Sequence, residues 1–172
     1  CIMSLIVETG TASATSEAYC SVAFADTWHA NAGNTLWATL QNTEKEQALR
    51  RSATFLCQMY RLQWKGRRVS AAQALDWPRY NVQVPDLGVY NVIYPDVVPP
   101  LVQQANAELA FSAASGPLNP DATQNVVSKQ VGPLKIVYDN NSPQGRRYSA
   151  VADMLKPLLQ SGAGACVSLR RV

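Results

Sequence analysis

The clearest pattern of apolar and polar positions lies in residues 43–64. Leu56, Tyr60 and Trp64 belong to a stripe of apolar side chains with a period close to 3.6 residues, which is typical of an amphipathic helix. The letters TEKE at the start of this run have the spacing of a capping box, and Gly66 is expected to end the helix. The pattern therefore predicts a long helix whose apolar stripe, with these three side chains, lies in the core.

Capping signals and apolar spacing predict four further helices, which begin at Ser21, Ser70, Pro99 and Tyr148. Their expected C-terminal limits are Gly33, Pro78, Gly116 and Gln160. Spacing places Trp28 on the buried face of the first of these helices and Leu109 on that of the third.

Residues 126–138 change to a period of two, which puts Leu134 and Tyr138 on one face. Gly132-Pro133 interrupts this pattern, so the segment is either a hairpin or two short strands separated by a bend. Residues 79–100 lack a clear period and are predicted to form an ordered, extended loop. The predicted fold class is mainly α: a helical bundle of four to five helices with a small β-hairpin and an extended C-terminal tail.

The chain of 172 residues has the length of one domain. We predict a helical domain over residues 1–160, with the β insertion at about 126–138, and a flexible C-terminal tail over residues 161–172. The tail begins with the small residues SGAGA and ends in the strand-like CVSLRRV. Such a tail is either disordered or adds a strand to a neighbouring subunit, because a strand on a flexible leash suits β-augmentation.

The net charge of +3 is too small for a general polyanion binder, but the charge is unevenly distributed. Residues 47–79 contain seven basic residues and one acid, a local charge of +6, which leaves −3 for the rest of the chain. A basic face opposite a mildly acidic remainder suits docking to a complementary protein surface or to a phosphate backbone.

Residues suited to catalysis or metal binding are scarce. His29 is the only histidine, and without a partner at metal-ligand spacing we interpret it as a surface or capping residue. Glu108 is interpreted as a structural hydrogen-bonding or ion-pairing group. The four cysteines are widely spaced, and Cys57 on its apolar helix is typical of a buried reduced thiol. We therefore expect no enzyme activity, no metal and no cofactor, and no apolar run is long enough to span a membrane.

The stretch YRLQWKGRRVSAAQALDWPRY, residues 60–80, interleaves aromatic and basic residues. Such a stretch is typical of a single-stranded nucleic-acid groove, of a protein–protein contact, or of a hinge between two helices. The apolar stripe assigns Tyr60 and Trp64 to the core, and Trp77 before Pro78 is expected to pin a loop onto it. Arg67, Arg68 and Arg79 are expected to be exposed. Together with Lys65 at the same turn, they are the cationic side chains expected to contact a subunit or partner.

An ordered set of segments gives the chain a family resemblance. The segments include SLIVETGT, KEQALRRSATFLCQMY, WKGRRVSAAQALDWPR, VPPLVQQANAELAF, KQVGPLKIVY and YSAVADMLKPLL. In this order they resemble the head–tail connector proteins of tailed bacteriophages, also called adaptor or head-completion proteins. Many relatives carry the label "putative DnaT-like single-stranded-DNA-binding protein".

The resemblance implies a structural role in the virion. Such adaptors form a ring, usually dodecameric, beneath the portal protein in the neck between capsid and tail, after assembly in the host cytoplasm. The ring extends the channel for double-stranded DNA without sequence specificity and offers a docking surface to tail, stopper or tail-terminator proteins. The residues expected to contact a subunit or the portal are the four cationic side chains of the turn and, in the C-terminal tail, Val167, Leu169, Arg170, Arg171 and Val172. The alternative function is single-stranded-DNA binding in phage replication or recombination.

Overall fold

The computed structural model describes residues 4–86, 88, 91–119, 128–131, 134–137 and 148–160. The α-helices in this part of the chain are α1 (Val22–Asn31), α2 (Thr35–Ala38), α3 (Asn42–Tyr60), α4 (Pro100–Ser115) and α5 (Ser149–Leu155), and a 3₁₀ turn, Lys156–Leu158, follows α5. The strands are β1 (Arg67–Arg68), β2 (Arg79–Tyr80), β3 (Val82–Gln83), β4 (Val92–Ile93), β5 (Ser128–Val131) and β6 (Leu134–Val137). The prediction of a mainly α fold with a small β component is confirmed.

Helices α3 and α4 pack against each other at the centre of the molecule, and α1 and α5 pack on α4. The stripe predicted for α4 is buried, and its Val102 and Leu109 share one core cluster with Leu49 and Leu56 of α3. Pro100 begins α4 and Gly116 follows its last residue, as the sequence predicts. The two longest helices therefore form the scaffold on which the other segments are placed.

Helix α3 begins earlier and ends earlier than predicted. Its first turn is capped at Gln41, whose backbone N–H donates to the Glu44 carboxylate over 2.8 Å, so the predicted capping box at Thr43 is wrong. The helix ends at Tyr60, and the turn that follows it carries Trp64 back into the core. Trp64 forms an isolated antiparallel bridge with Leu159 and does not belong to the last turn of the helix.

The helix predicted between Ser70 and Pro78 does not form. The Gln73 side chain accepts from the Ser70 backbone N–H over 2.8 Å and donates to the carbonyls of Leu75 and Pro78 over 2.8 and 3.2 Å. These side-chain bonds satisfy backbone groups that a helix would have paired internally. The segment is an irregular turn, and Gln73 is buried inside it.

A buried asparagine joins three segments of the chain. The Asn106 Oδ1 atom of α4 accepts from the Tyr19 backbone N–H over 2.8 Å, and its Nδ2 donates to the Leu49 carbonyl over 3.1 Å and to the Ser52 hydroxyl. All four residues are completely buried. Asn106 therefore fixes both the α3–α4 contact and the entry into α1.

The N-terminal loop wraps around a buried carboxylate. Glu8 is 1% exposed, and its two oxygens accept from the backbone N–H groups of residues 10–13 over 2.7 to 3.1 Å and from the Ser16 hydroxyl over 2.8 Å. The small residues that the sequence shows here allow the backbone to approach the carboxylate closely. At Gly10 a Cβ atom would overlap the Asp96 carbonyl oxygen, which also fixes this loop against the segment after β4.

His29 is buried in the core, so its interpretation as a surface residue is wrong. Its Nε2 lies 3.0 Å from the Ala107 carbonyl oxygen, and its Nδ1 lies 3.4 Å from the Asn34 amide nitrogen. The ring also contacts Trp37 of α2, a helix that the sequence pattern did not predict, with 4.6 Å between the ring centroids. Burial lowers the pKa of His29, so the neutral ring is favoured.

The six strands pair as three two-stranded antiparallel sheets: β1 with β2, β3 with β4, and β5 with β6. The last pair falls within residues 126–138, where the sequence left a hairpin and two separate strands open, and it pairs Ser128 with Val137. The predicted tail, residues 161–172, lies outside the described residues.

Candidate nucleic-acid interface

Asp76 anchors the turn that carries β1 and β2. Its side chain is completely buried, and its oxygens accept from Arg61 Nε over 3.0 Å and from Trp64 Nε1 over 3.3 Å. Its backbone N–H donates to the Tyr19 hydroxyl over 3.0 Å. A buried carboxylate is tolerated when it is paired and hydrogen-bonded in this way, so the turn is fixed to the core through a polar contact.

The two tryptophans of the aromatic and basic stretch are buried, Trp64 to 1% and Trp77 to 0% exposure. Their rings meet edge to face, with centroids 5.7 Å apart and an interplanar angle of 83°. Neither ring offers a free face for a base to stack on. Of the other side chains predicted for the core, Leu56 and Leu109 are completely buried, and Tyr60 and Trp28 are partly buried against it.

Trp28 and Glu108 also form a polar contact. The Trp28 Nε1 atom donates to the Glu108 carboxylate over 3.1 Å, which links α1 to α4. Glu108 is therefore a structural hydrogen-bonding group, as its isolated position in the sequence indicated.

Arg79 is buried to 6% exposure, so the expectation that it is exposed is wrong. Its guanidinium donates to three backbone carbonyls, those of Lys65 over 2.9 Å, Gly66 over 2.9 Å and Asp76 over 3.2 Å. Burial lowers the pKa of Arg79, and the nearby Asp76 carboxylate opposes that shift. A planar guanidinium with five N–H donors can donate to several carbonyls at once. Arg79 therefore stabilises the turn from its buried side.

Lys65 is half-buried and holds neighbouring segments together. Its ammonium group donates to the Gln83 carbonyl over 3.1 Å and to the Pro157 carbonyl over 2.8 Å. It thus joins β3 to the 3₁₀ turn that follows α5. Two of its three N–H donors form hydrogen bonds within the chain, so Lys65 primarily stabilises the structure of this region.

Arg67, Arg68 and Tyr80 form the exposed surface of this turn, and we call them the arginine edge. Arg67 is paired with Tyr80 across the antiparallel β1–β2 register, so their side chains lie on the same face of the sheet. Arg67 and Arg68 are exposed, and Tyr80 is 50% exposed. Arg67 and Tyr80 combine a cation for a phosphate with a ring for a base, the two contacts that single-strand binding requires. Arg68 lies on the opposite face of the sheet, across from Arg79.

Sequence reasoning named the two arginines but overlooked Tyr80 and Asp76. The alternation of apolar and polar residues at Val82, Gln83 and Val84 is a sequence signal for a strand just after Tyr80. In the structure these side chains are buried, exposed and buried in turn. No local signal distinguishes Asp76 from a surface acid, because its partners, Tyr19 and Arg61, are remote in sequence. The C-terminal residues predicted for contacts, Val167 to Val172, lie outside the described residues.

Other chemistry is sparse in the described part of the chain. No group of three or more His, Cys, Asp or Glu side chains is arranged to hold a metal ion among the described residues. Cys20 and Cys57 are free buried thiols, and burial raises the pKa of Cys20 to about 12. Among the described helices, none is both long enough and apolar enough to cross a membrane.

A family comparison agrees with part of the resemblance seen in the sequence. The family described as "Putative DnaT-like ssDNA binding protein" matches residues 3–172. No curated protein and no solved structure matches the chain. The family description repeats the label carried by the resembling proteins and does not mention a head–tail connector. Because the match covers nearly the whole sequence, the chain belongs to the family of putative DnaT-like ssDNA binding proteins.

Proposed function

We propose that this protein binds single-stranded DNA through the arginine edge. The observation that carries the proposal is the cross-strand pair of Arg67 and Tyr80, both exposed and on one face of the β1–β2 sheet. The family description supports a single-stranded-DNA ligand. Of the two functions considered from the sequence, this description favours the alternative, single-stranded-DNA binding.

The chemistry of the edge by itself does not distinguish one base of a bound strand from another. Arg67 attracts a phosphate and the Tyr80 ring beside it stacks on a base, which every nucleotide offers equally. Arg68, on the opposite face of the sheet, adds to the positive charge of the edge. The buried side chains of Asp76 and Arg79 hold the short strands in register beneath this surface. The protein acts by binding alone, and the proposal includes no catalytic residue, metal or cofactor.

Affinity for a labelled oligonucleotide of about 12 nucleotides, within the site size of single-strand binders, tests the proposal. Wild-type affinity is expected to fall steeply with salt, and Arg67→Ala should reduce the slope of log K against log salt by about 0.7. Tyr80→Ala should weaken binding by about 1–3 kcal/mol, because it removes one stacking side chain.

Arg51→Ala is the matched control, since it removes the same charge from an exposed position on α3. It should leave the affinity nearly unchanged. Equal weakening by Arg51→Ala and Arg67→Ala would show that only net charge matters, and the arginine edge would then not be the site.

A second candidate is the neck-ring adaptor, a dodecameric structural protein of the virion. The observation that favours it is an exposed apolar pair at the end of α3: Leu62 is 91% exposed and Met59 is 46% exposed. Met59 lies in the last turn of α3 and Leu62 in the turn that follows it, and single-strand binding does not explain their exposure. An exposed apolar surface of this kind suits a neighbouring subunit, the portal protein or a tail protein.

Electron microscopy of the protein mixed with its portal protein tests this second candidate. A ring bound at the portal in wild type, lost in Leu62→Glu, would support it. A protein that stays monomeric and never binds the portal would exclude it, whatever its affinity for DNA.

A further inference from the structure

We propose that the concavity beside the arginine edge is a nucleobase pocket that prefers adenine; this inference rests on the proposed single-strand binding. The concavity has a volume of about 420 Å³ and is lined by Lys65, Gly66, Asn81, Gln83, Pro85 and Gln160. Asn81 follows Tyr80 directly in the chain, so a base turned away from the strand on the edge would reach it.

Two side-chain amides at this concavity are available to a ligand. Asn81 and Gln83 are exposed, and neither side chain forms a hydrogen bond with another described residue. A carboxamide offers one acceptor and two donors side by side. This arrangement pairs in bidentate fashion with adenine N6 and N7, and a base in a single strand is open to such contacts.

The backbone at the pocket is held in an uncommon conformation. Asn81 has a φ of 55° in the link between β2 and β3, a left-handed conformation that few non-glycine residues adopt. At Gly66 a Cβ atom would overlap the Tyr80 carbonyl oxygen, so the floor of the concavity requires glycine there. The link therefore turns sharply at Asn81 and places its amide at the concavity next to the edge.

The floor of the pocket is rigid and partly cationic. Lys65 spends two of its three N–H donors on the carbonyls of Gln83 and Pro157. Gln160 donates from Nε2 to the Trp64 carbonyl over 2.9 Å. These bonds fix the walls, and the remaining Lys65 donor can serve a base nitrogen or a phosphate oxygen of the same nucleotide.

The double variant Asn81→Gly/Gln83→Met tests the pocket. Glycine retains the left-handed φ without the amide, and methionine retains the length of the Gln83 side chain. Oligoadenylate, oligothymidylate and an abasic strand, each of about 12 nucleotides, are compared by fluorescence anisotropy. Gln47→Met, which changes an exposed amide on α3 in the same way, is the control.

Wild type should bind oligoadenylate more tightly than both oligothymidylate and the abasic strand, and the double variant should lose about 5-fold to 150-fold on oligoadenylate while binding the abasic strand unchanged. Equal binding of oligoadenylate and oligothymidylate by wild type, with no change in the double variant and with weakening by Arg67→Ala, overturns the pocket and leaves strand binding intact. No binding of any strand by wild type overturns both.

If the double variant does not fold, a ligand titration of the wild-type protein tests the pocket instead. Adenosine monophosphate should shift the side-chain NH₂ resonances of Asn81 and Gln83 in the NMR spectrum. Shifts confined to other residues would overturn the pocket.

Discussion

At the scale of single residues, buried polar side chains join segments that apolar contacts alone would leave free to slide. Asn106 binds both α3 and the loop before α1, and Asp76 binds Arg61 and Trp64 in the turn after α3. Leaving a buried donor or acceptor unpaired costs about 1–3 kcal/mol for each group. Each of these residues therefore specifies one arrangement of its neighbours.

Asn106→Ala should lower the free energy of unfolding by about 2–4 kcal/mol. The change leaves the Tyr19 backbone N–H without its acceptor in a fully buried site and removes one of the hydrogen bonds to the Leu49 carbonyl, which keeps the bond from the Ser52 hydroxyl. Urea unfolding followed by tryptophan fluorescence measures this loss. Gln47→Ala, on the exposed side of α3, is the control and should change stability by less than about 0.5 kcal/mol.

His29 should make the fold less stable in mild acid. Burial lowers the pKa of its ring below the ordinary value of 6.5, so the unfolded chain takes up a proton at a pH where the folded chain does not. Stability is therefore full above that ordinary value and falls as the pH drops toward the folded pKa.

His29→Gln should flatten the pH dependence below pH 6.5, the ordinary histidine pKa, because Gln keeps a donor for the Ala107 carbonyl but does not titrate there. Thermal melts of both proteins between neutral and mildly acidic pH measure the difference. The same slope in both would mean that another group causes the acid sensitivity.

At the scale of elements, β1 and β2 have two residues each and form an isolated pair that would be marginal alone. Their geometry depends on the buried guanidinium of Arg79 and the carboxylate of Asp76. The exposed side chains of the arginine edge thus belong to a small sheet that is fixed to the core by the buried side chains of Arg79 and Asp76.

Arg79→Lys should destabilise the protein by about 2 kcal/mol or more, although it keeps the charge. A lysine cannot reproduce the fork that bonds the carbonyls of Lys65, Gly66 and Asp76. Hydrogen exchange at Arg67 and Tyr80 should accelerate with it. Arg68→Lys is a matched control, because Arg68 is the exposed cross-strand partner of Arg79; a similar loss in both variants would contradict the structural role of Arg79.

The elements predicted correctly from the sequence carry local signals. Helix α4 has Pro99 and Pro100 at its start, ends before Gly116 and has a clean apolar stripe. Each of these features determines the structure only of residues close to it in the sequence. The helix predicted after Ser70 was wrong because Gln73 bonds the backbone there, and amides of this type are common on exposed helix surfaces as well.

The candidate site was only partly predictable for the same reason. Exposure of Arg67 and Arg68 follows from their charge and their position at a turn. The burial of Arg79 depends on carbonyls brought together by folding, since its guanidinium donates to residues 13 and 14 positions earlier in the chain as well as to Asp76. The cross-strand pair of Arg67 and Tyr80 likewise needs the register between β1 and β2.

At the scale of the whole molecule, the basic charge is concentrated in one stretch, whereas exposed apolar side chains are spread along the described part of the chain. Residues 47–79 carry a local charge of +6 in a chain of +3, and Leu62, which at 91% is the most exposed large apolar side chain among the described residues, lies in the same stretch. A strand bound at the arginine edge uses the cations, whereas a protein partner at the end of α3 uses the apolar surface. The two proposals therefore predict different footprints on one molecule.

Hydrogen exchange of the full chain with and without a saturating single-stranded oligonucleotide tests the central claim most directly. The account predicts that added protection is concentrated at Arg67, Arg68 and Tyr80 to Gln83. Protection centred on Met59 to Leu62, or no change at the arginine edge under conditions where the oligonucleotide is bound, would contradict it.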